Sequence, residues 1–441
     1  MREINEEFLR EVENDYLSKD IYTIARHSLT KNKISSLIRV NEQTEFTRNR
    51  FSIDIKTLPV TNQKASGRCW IFAGLNVLRE KVAKKFNLEN FELSQNYIAF
   101  YDKLEKCNYL MESIISLKDQ DKDDRTLTFL LNNGIEDGGQ WDLFVNIVNK
   151  YGVVPKDSFP ETYQSSNTRE IDSLLNKIIR KFAFDIRYFN ENYDQIIALK
   201  DAIMADIYKI LCSSFGVPPK TINFEYVDKD KNYHNIKDIS PQDFMKNYVE
   251  VNLDDYVSII NSPTNDKPFY NTYTVKFLGN VIEGKRVLYL NEEMERFKTL
   301  VIAQLKDGEP VWFGSDCSKA GDREEGVWDD LSFDTDTLFQ INTNMSKEAM
   351  LDTRQSAMNH AMVITGVNLD GERPTKWKIE NSWGDEHANK GYYVATDSWF
   401  NKFVYQAVIN KKYMSDMEHN DLNKNPIELN PWDPMGTLAK N

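Results

Sequence analysis

Two kinds of hydrophobic spacing divide this chain near residue 268, and together they limit it to folds that join a helical part to a β part. Before the divide, apolar residues recur mainly at helical period. Residues 5–26 read as one amphipathic helix, whereas 34–59 read as mostly extended, with Phe51, Ile53 and Ile55 alternating against polar neighbours. A helix is predicted from Cys69, with Trp70, Phe72, Ala73, Leu75, Val77, Leu78 and Val82 apolar and Asn76, Arg79, Glu80, Lys81 and Lys84 mainly on another face. Ser94 predicts the N-cap of a helix over 95–105, with Leu93 packing back. Helices over 124–132 and 140–150 are separated by the turn Asn133-Gly134-Ile135-Glu136-Asp137-Gly138-Gly139. Residues 168–215 are again helical by period and stop at Gly216-Val217-Pro218-Pro219, followed by a short strand over 224–227 and a short helix over 241–248.

After the divide, segments 270–278, 286–290, 310–314, 361–367, 375–380, 391–395 and 403–409 are rich in Val, Tyr, Phe and Thr, which predicts strands. Helices first and strands later imply an α+β fold of two packed lobes with a cleft between them. The expected organisation is an N-terminal extension (1–60), a helical lobe (61–165), an inserted, mainly helical subdomain (166–268), a β-rich lobe (269–415) and a C-terminal arm (416–441). Pro426, Pro431 and Pro434 predict that its last stretch, 425–441, is extended. Ile427, Leu429, Trp432, Met435 and Leu438 make it too apolar for an idle tail.

Composition narrows the function. With 41% hydrophobic and 28% charged residues in 441, the chain can bury a sizeable core. The N-terminus lacks the apolar core of a signal peptide, and no segment approaches the roughly 18 apolar residues of a membrane span. A cytoplasmic protein without a membrane partner is expected. Cys69, Cys107, Cys212 and Cys317 are scattered, with no C-x-x-C pair, which argues against a zinc site or a disulfide framework. A net charge of −13, with only short basic runs such as 81–85 and 177–181, argues against a nucleic-acid partner.

Cys69 stands at the predicted helix start, where the macrodipole is positive and favours the thiolate. Flanked by Trp70 and Ile71 it also reads as a small buried hydrophobe. His360, at the head of a strand-like run, is either a base facing a cleft or a hydrogen-bonded core histidine; His27, His234, His387 and His419 lie in polar surroundings. Asn381, ending the next strand-like run in Asn-Ser-Trp-Gly, can accept from an imidazole nitrogen and aim the other nitrogen at sulfur, with Trp383 as cover. The same four residues also suit an ordinary turn. Gln63, six residues before Cys69, can offer an amide N–H to an oxyanion beside the Cys69 backbone N–H, or lie exposed on a loop.

Q-x-x-x-G-x-C-W-x-F over 63–72, His360-Ala361 and Asn381-Ser382-Trp383-Gly384 occur in the order Gln, Cys, His, Asn, and here the chain resembles the papain-like cysteine peptidases. Ser66 and Arg68 depart from the family's C-G-[SA]-C-[WY] signature; loss of the first Cys removes half of a disulfide typical of secreted relatives. Asp137-Gly138-Gly139-Gln140-Trp141-Asp142 is similar to the segment whose Gly-Gly backbone pairs with substrate. Cys69 and His360 stand about 290 residues apart where papain relatives show about 130 to 150. The long spacing, the N-terminal extension, Ser-Gly-Arg-Cys-Trp and the ending Trp-Asp-Pro-Met-Gly look like the bleomycin hydrolase and aminopeptidase C family.

The resemblance implies a cytosolic, cofactor-free thiol aminopeptidase acting on peptides with a free N-terminus and assembled as a homohexamer. It implies Cys69 as nucleophile, His360 as its base and Asn381 as orienting residue. Gln63 supports the oxyanion, Gly138, Gly139 and Ala439 bind substrate, Trp70 and Trp383 support the site, and no metal is involved. The C-terminal arm would lie in the cleft and hold the substrate ammonium, with Lys440 and Asn441 either trimmed or shifting the register. Bleomycin-type amides are implied as further substrates. The alternatives are a nucleic-acid-binding or sequestering role, or endopeptidase action if the arm is displaced.

Overall fold

The helix that carries Cys69 sets the framework. It runs Cys69–Lys85 in the computed structural model, which describes residues 1–40, 48–188 and 192–439. Its burial is more complete than its period predicts: Asn76 and Arg79, expected on the polar face, are only 4% and 1% exposed. The physical reason is a buried polar partner across the lobe boundary. Asn76 Nδ2 and Arg79 Nη2 each donate to Glu380 Oε1 at 3.0 Å, and Arg79 also donates to the carbonyls of Leu58 and Pro59. Charges so paired tolerate an interior position.

Ser94 Oγ accepts from the Tyr97 N–H at 3.0 Å and starts helix Gln95–Ser116. This helix continues well past Glu105 because Leu110, Met111 and Ile114 extend its buried face. Helices Arg125–Asn133 and Trp141–Tyr151 follow as expected, then the long pair Arg169–Tyr188 and Tyr193–Phe215. Strand Ile222–Val227 pairs with Tyr233–Ile239, a strand that its polar sequence conceals. Pro241–Phe244 is helical and passes into a wider turn over Met245–Val249.

The second core is built on a mixed, twelve-stranded sheet. Its central strands run, in order, Tyr256–Ile260, Val404–Asn410, Val311–Ser315, His360–Asp370, Arg373–Glu380 and Tyr392–Thr396. The edge near Thr272–Val275 is extended by Ile427–Leu429 of the C-terminal arm, paired in parallel. Helix Met294–Lys306, not anticipated from the sequence, buries Phe297, Leu300, Val301 and Leu305 in this core.

The N-terminal region departs from expectation in two places. Residues 5–26 form two helices, Glu6–Leu17 and Asp20–Leu29, because the first ends at Ser18. Ile34–Leu37 is a helical turn inside the supposedly extended stretch, where among the described residues only Ile53–Asp54 forms a strand, antiparallel to His360–Asp370.

Candidate active site

Cys69 is the first residue of its helix, and Arg68 at the N-cap gives no side-chain hydrogen bond to the first turn. The positive end of the macrodipole therefore acts on the thiol without a capping hydroxyl or carboxylate to offset it. The helix packs across strand His360–Asp370, whose Ala361 N–H lies 3.5 Å from Cys69 Sγ. This brings His360, the preceding residue and fully buried, to the sulfur's side of the cleft. Cys107, by contrast, sits within a helix, where burial pushes its thiol up to about 12, the behaviour of an inert structural cysteine.

His360 heads its strand and Asn381 directly follows the antiparallel neighbour Arg373–Glu380, so both project at the same end of the sheet. His360 Nε2 lies 2.8 Å from Asn381 Oδ1. The Ser382 N–H donates to the same Oδ1 at 2.8 Å, which fixes that atom as the acceptor. His360 Nε2 must then carry the proton, and Nδ1 is the basic nitrogen of the ring. Trp383 stacks on the imidazole with ring centroids 4.9 Å apart and shields this bond. Gly384 adopts φ +82°, and a Cβ there would lie 2.6 Å from Asn62 Nδ2, so the last position of Asn-Ser-Trp-Gly demands glycine.

Gln63 is 2% exposed and held from both ends of its amide. Its Oε1 accepts from Ser382 Oγ at 2.6 Å, its Nε2 donates to the Ser66 carbonyl at 2.7 Å, and its backbone N–H donates to the Ser382 carbonyl at 2.8 Å. The loop that seats it is braced by Arg68, for which the sequence offered no role. Arg68 Nε donates to Ser66 Oγ at 2.9 Å, and its two terminal nitrogens fork onto Glu161 at 3.1 and 2.9 Å. Ser66 Oγ in turn donates to the Gln63 carbonyl at 2.6 Å. Thus the buried Arg68 guanidinium, forked onto the partly buried Glu161 carboxylate, clamps this loop.

The opposite wall is the segment Asp137-Gly138-Gly139. The Gly67 N–H donates to Asp137 Oδ2 at 2.7 Å, Lys103 pairs with Oδ1 at 2.6 Å, and Thr168 donates to Oδ2. Burial pushes the Asp137 carboxyl up, but the Lys103 charge and these hydrogen bonds outweigh it and hold the group below the usual carboxylate range. Trp70 Nε1 donates to the Asp137 carbonyl at 2.7 Å, and Lys106 donates to the Gly138 carbonyl at 2.7 Å. A Cβ on Gly139 would stand 2.4 Å from the Trp70 ring, so only glycine lets this strand edge lie so close.

That edge carries the C-terminal arm. Gly139 and Ala439 exchange both backbone bonds in an antiparallel bridge, N–H to carbonyl at 3.1 Å one way and 3.3 Å the other. Gln140 Nε2 donates to the Thr437 carbonyl, and Met435 is buried. Trp432 lies under Arg125, 3.8 Å from guanidinium to ring, and edge-on to Phe129. Lys440 and Asn441 lie outside the described residues.

The structure thus joins Cys69 to the strand headed by His360, His360 to Asn381 and Trp383, Gln63 to Ser382, Trp70 to Asp137, and Gly139 to Ala439. Of the other histidines, His234 pairs with Asp228 and His387 with Glu324. Arg79, Lys103, Asp137, Glu161 and Glu380 were missed. The available signal was a charged residue inside an apolar helical run, as with Arg79 and Lys103.

Residues 3–436 match the description Peptidase C1-like family. The chain belongs to that family. As a member it is a cysteine peptidase with the papain-like fold. It is 45% identical over 444 aligned positions to "Aminopeptidase C" of Lactobacillus delbrueckii subsp. lactis, covering 99% of each chain. It is 42% identical to "Bleomycin hydrolase" of Mus musculus, covering 87% of this chain and 86% of that one. The crystal structure of PepW from Lactobacillus rhamnosis HN001 superposes with a TM-score of 0.97 at 44% identity, covering 99% of both chains. Among the described residues, no helix is long and apolar enough to cross a membrane.

Proposed function

We propose that this peptidase is an aminopeptidase, releasing single residues from peptides with a free N-terminus. The observation that carries the reading is the Gly139–Ala439 bridge: an extended segment of the chain's own terminus already occupies the strand edge that the acyl side of a longer substrate would need. On this reading the arm limits the acyl side of the sulfur to the substrate's N-terminal residue. A carboxylate ending the arm would pair with the substrate α-ammonium in a partly desolvated cleft. Whether that carboxylate belongs to Ala439 after trimming or to Asn441 sets the register.

The chemistry then follows from the geometry. Cys69 thiolate attacks the scissile carbonyl, and His360 Nδ1, having taken the thiol proton, delivers it to the leaving amine. The acyl-enzyme is hydrolysed by a water that His360 deprotonates in the reverse role. Asn381 keeps the ring in the tautomer this requires, and the Gln63 amide with the Cys69 backbone N–H stabilises the oxyanion. Gln63→Ala should lower kcat by about 10²- to 10³-fold with little change in KM, measured on an aminoacyl arylamide.

The reading extends to a cytoplasmic enzyme, supported by the lack of any disulfide among the described cysteines and by Ser66 at the position where secreted relatives carry Cys. A homohexamer and bleomycin-type amide substrates are part of the same proposal, supported by likeness to relatives. The net charge of −13 speaks against nucleic acid as a partner. A matched pair of arylamides, one with a free α-amine and one N-acetylated, tests the function. Cleavage of the free amine alone, abolished by a thiol alkylator, is expected; equal cleavage of both would refute it.

A further inference from the structure

The arm closes one side of the cleft, so a substrate's remaining length must run the other way, past His360 and over Trp383. A groove of about 650 Å³ lies there, walled by Asn62, Gln63, Lys64, Arg323, Trp383 and Glu386 and continuing to Asp137 and Asp172. The guanidinium of Arg323 sits over the Trp383 ring at 4.9 Å, and Trp383 itself stacks on His360 at 4.9 Å. The sequence of cation, indole and imidazole puts a positive charge on the leaving-group side, no more than about 10 Å from the catalytic ring. At roughly 3.3–3.6 Å per extended residue, that span corresponds to one to three residues beyond the scissile bond.

The charge is available. Among the described residues Arg323 makes no ion pair, while the acids adjoining it in sequence are engaged elsewhere: Asp322 and Glu325 with Arg39, and Glu324 with His387. Asp137 and Asp172, farther along the groove, share Lys103. Against Glu136, Glu386 and the one carboxylate charge that Lys103 leaves over, the groove carries three cations, Lys64, Arg169 and Arg323. Of these only Arg323 is braced on an aromatic face, which also orients its donor fork.

We propose that Arg323 binds the C-terminal carboxylate of short peptide substrates, so that the enzyme favours peptides of two to four residues bearing a free C-terminus. This rests on the aminopeptidase reading, because it requires the substrate to project entirely to the leaving-group side. A guanidinium–carboxylate contact in a partly open groove is a modest interaction, and about a 3- to 10-fold effect on KM is expected.

The test compares a dipeptide and a tripeptide, as free acids and as C-terminal amides, in the unmodified enzyme and in the Arg323→Gln and Arg323→Lys variants. The unmodified enzyme should prefer the acids by about 3- to 10-fold in kcat/KM, mostly through KM. Arg323→Gln should bring that ratio close to one, and Arg323→Lys should keep part of it. No preference in the unmodified enzyme, or a preference that survives in Arg323→Gln, overturns the proposal. An aminoacyl arylamide, which has no carboxylate, separates this from the underlying reading: if it is not hydrolysed, the aminopeptidase function fails; if it is hydrolysed and the acid preference is absent, only the role of Arg323 fails.

Discussion

Replacing Cys69 with alanine abolishes peptide hydrolysis, lowering kcat by about 10⁴-fold or more, and leaves the protein folded. The size of the effect follows from the mechanism: without sulfur there is no covalent intermediate, and the remaining oxyanion donors and ring can only assist a water that has no place prepared for it. Folding should survive because the side chain is small and the Ala361 N–H approaches its sulfur only at 3.5 Å. Steady-state kinetics together with a thermal melt would check both halves. Activity that persists in the variant and disappears with a chelator would assign the reaction to a metal instead.

Removing the last four residues, from Leu438 onward, turns the enzyme from an aminopeptidase into an endopeptidase. Ala439 is fully buried and holds both backbone groups of Gly139. Its loss frees that edge for the acyl side of a long substrate while removing the carboxylate that would hold the α-ammonium. N-acetylated peptides, inert to the full chain, should then be cut internally. Release of single residues should fall by about 10- to 100-fold, the worth of one charge-assisted pairing in a partly dry cleft. Trp432 and Met435 remain anchored in the shortened chain, so the rest of the arm should stay in place. Mass spectrometry of the digest distinguishes internal fragments from single-residue release; a truncated enzyme that still works only from free N-termini would remove the arm from the account.

The residues proposed for the chemistry could be picked out because each needs a particular local setting. Cys69 needs a helix start and His360 a strand head, and both settings can be read within a few neighbours. The residues that hold them in place could not. Arg68 has no role in the sequence until Glu161 is found on its guanidinium, and Asn76 and Arg79 read as members of a polar helix face until Glu380 arrives from the other lobe. A buried ion pair is defined by a partner distant in sequence, and hydrophobic period treats its members as polar. The same limit explains the single helix expected over 5–26: a break at Ser18 depends on how two short helices pack, and alternating charge and apolar residues do not disclose it.

The central claim joins a nucleophile to a register: Cys69 takes up one residue, the substrate's first. Acid quenching of the enzyme during turnover of a slowly hydrolysed tripeptide, followed by peptide mapping, tests both parts at once. The account predicts a single aminoacyl group, the substrate's N-terminal residue alone, attached to the peptide containing Cys69. A dipeptidyl adduct, or an adduct on any other residue, would contradict it.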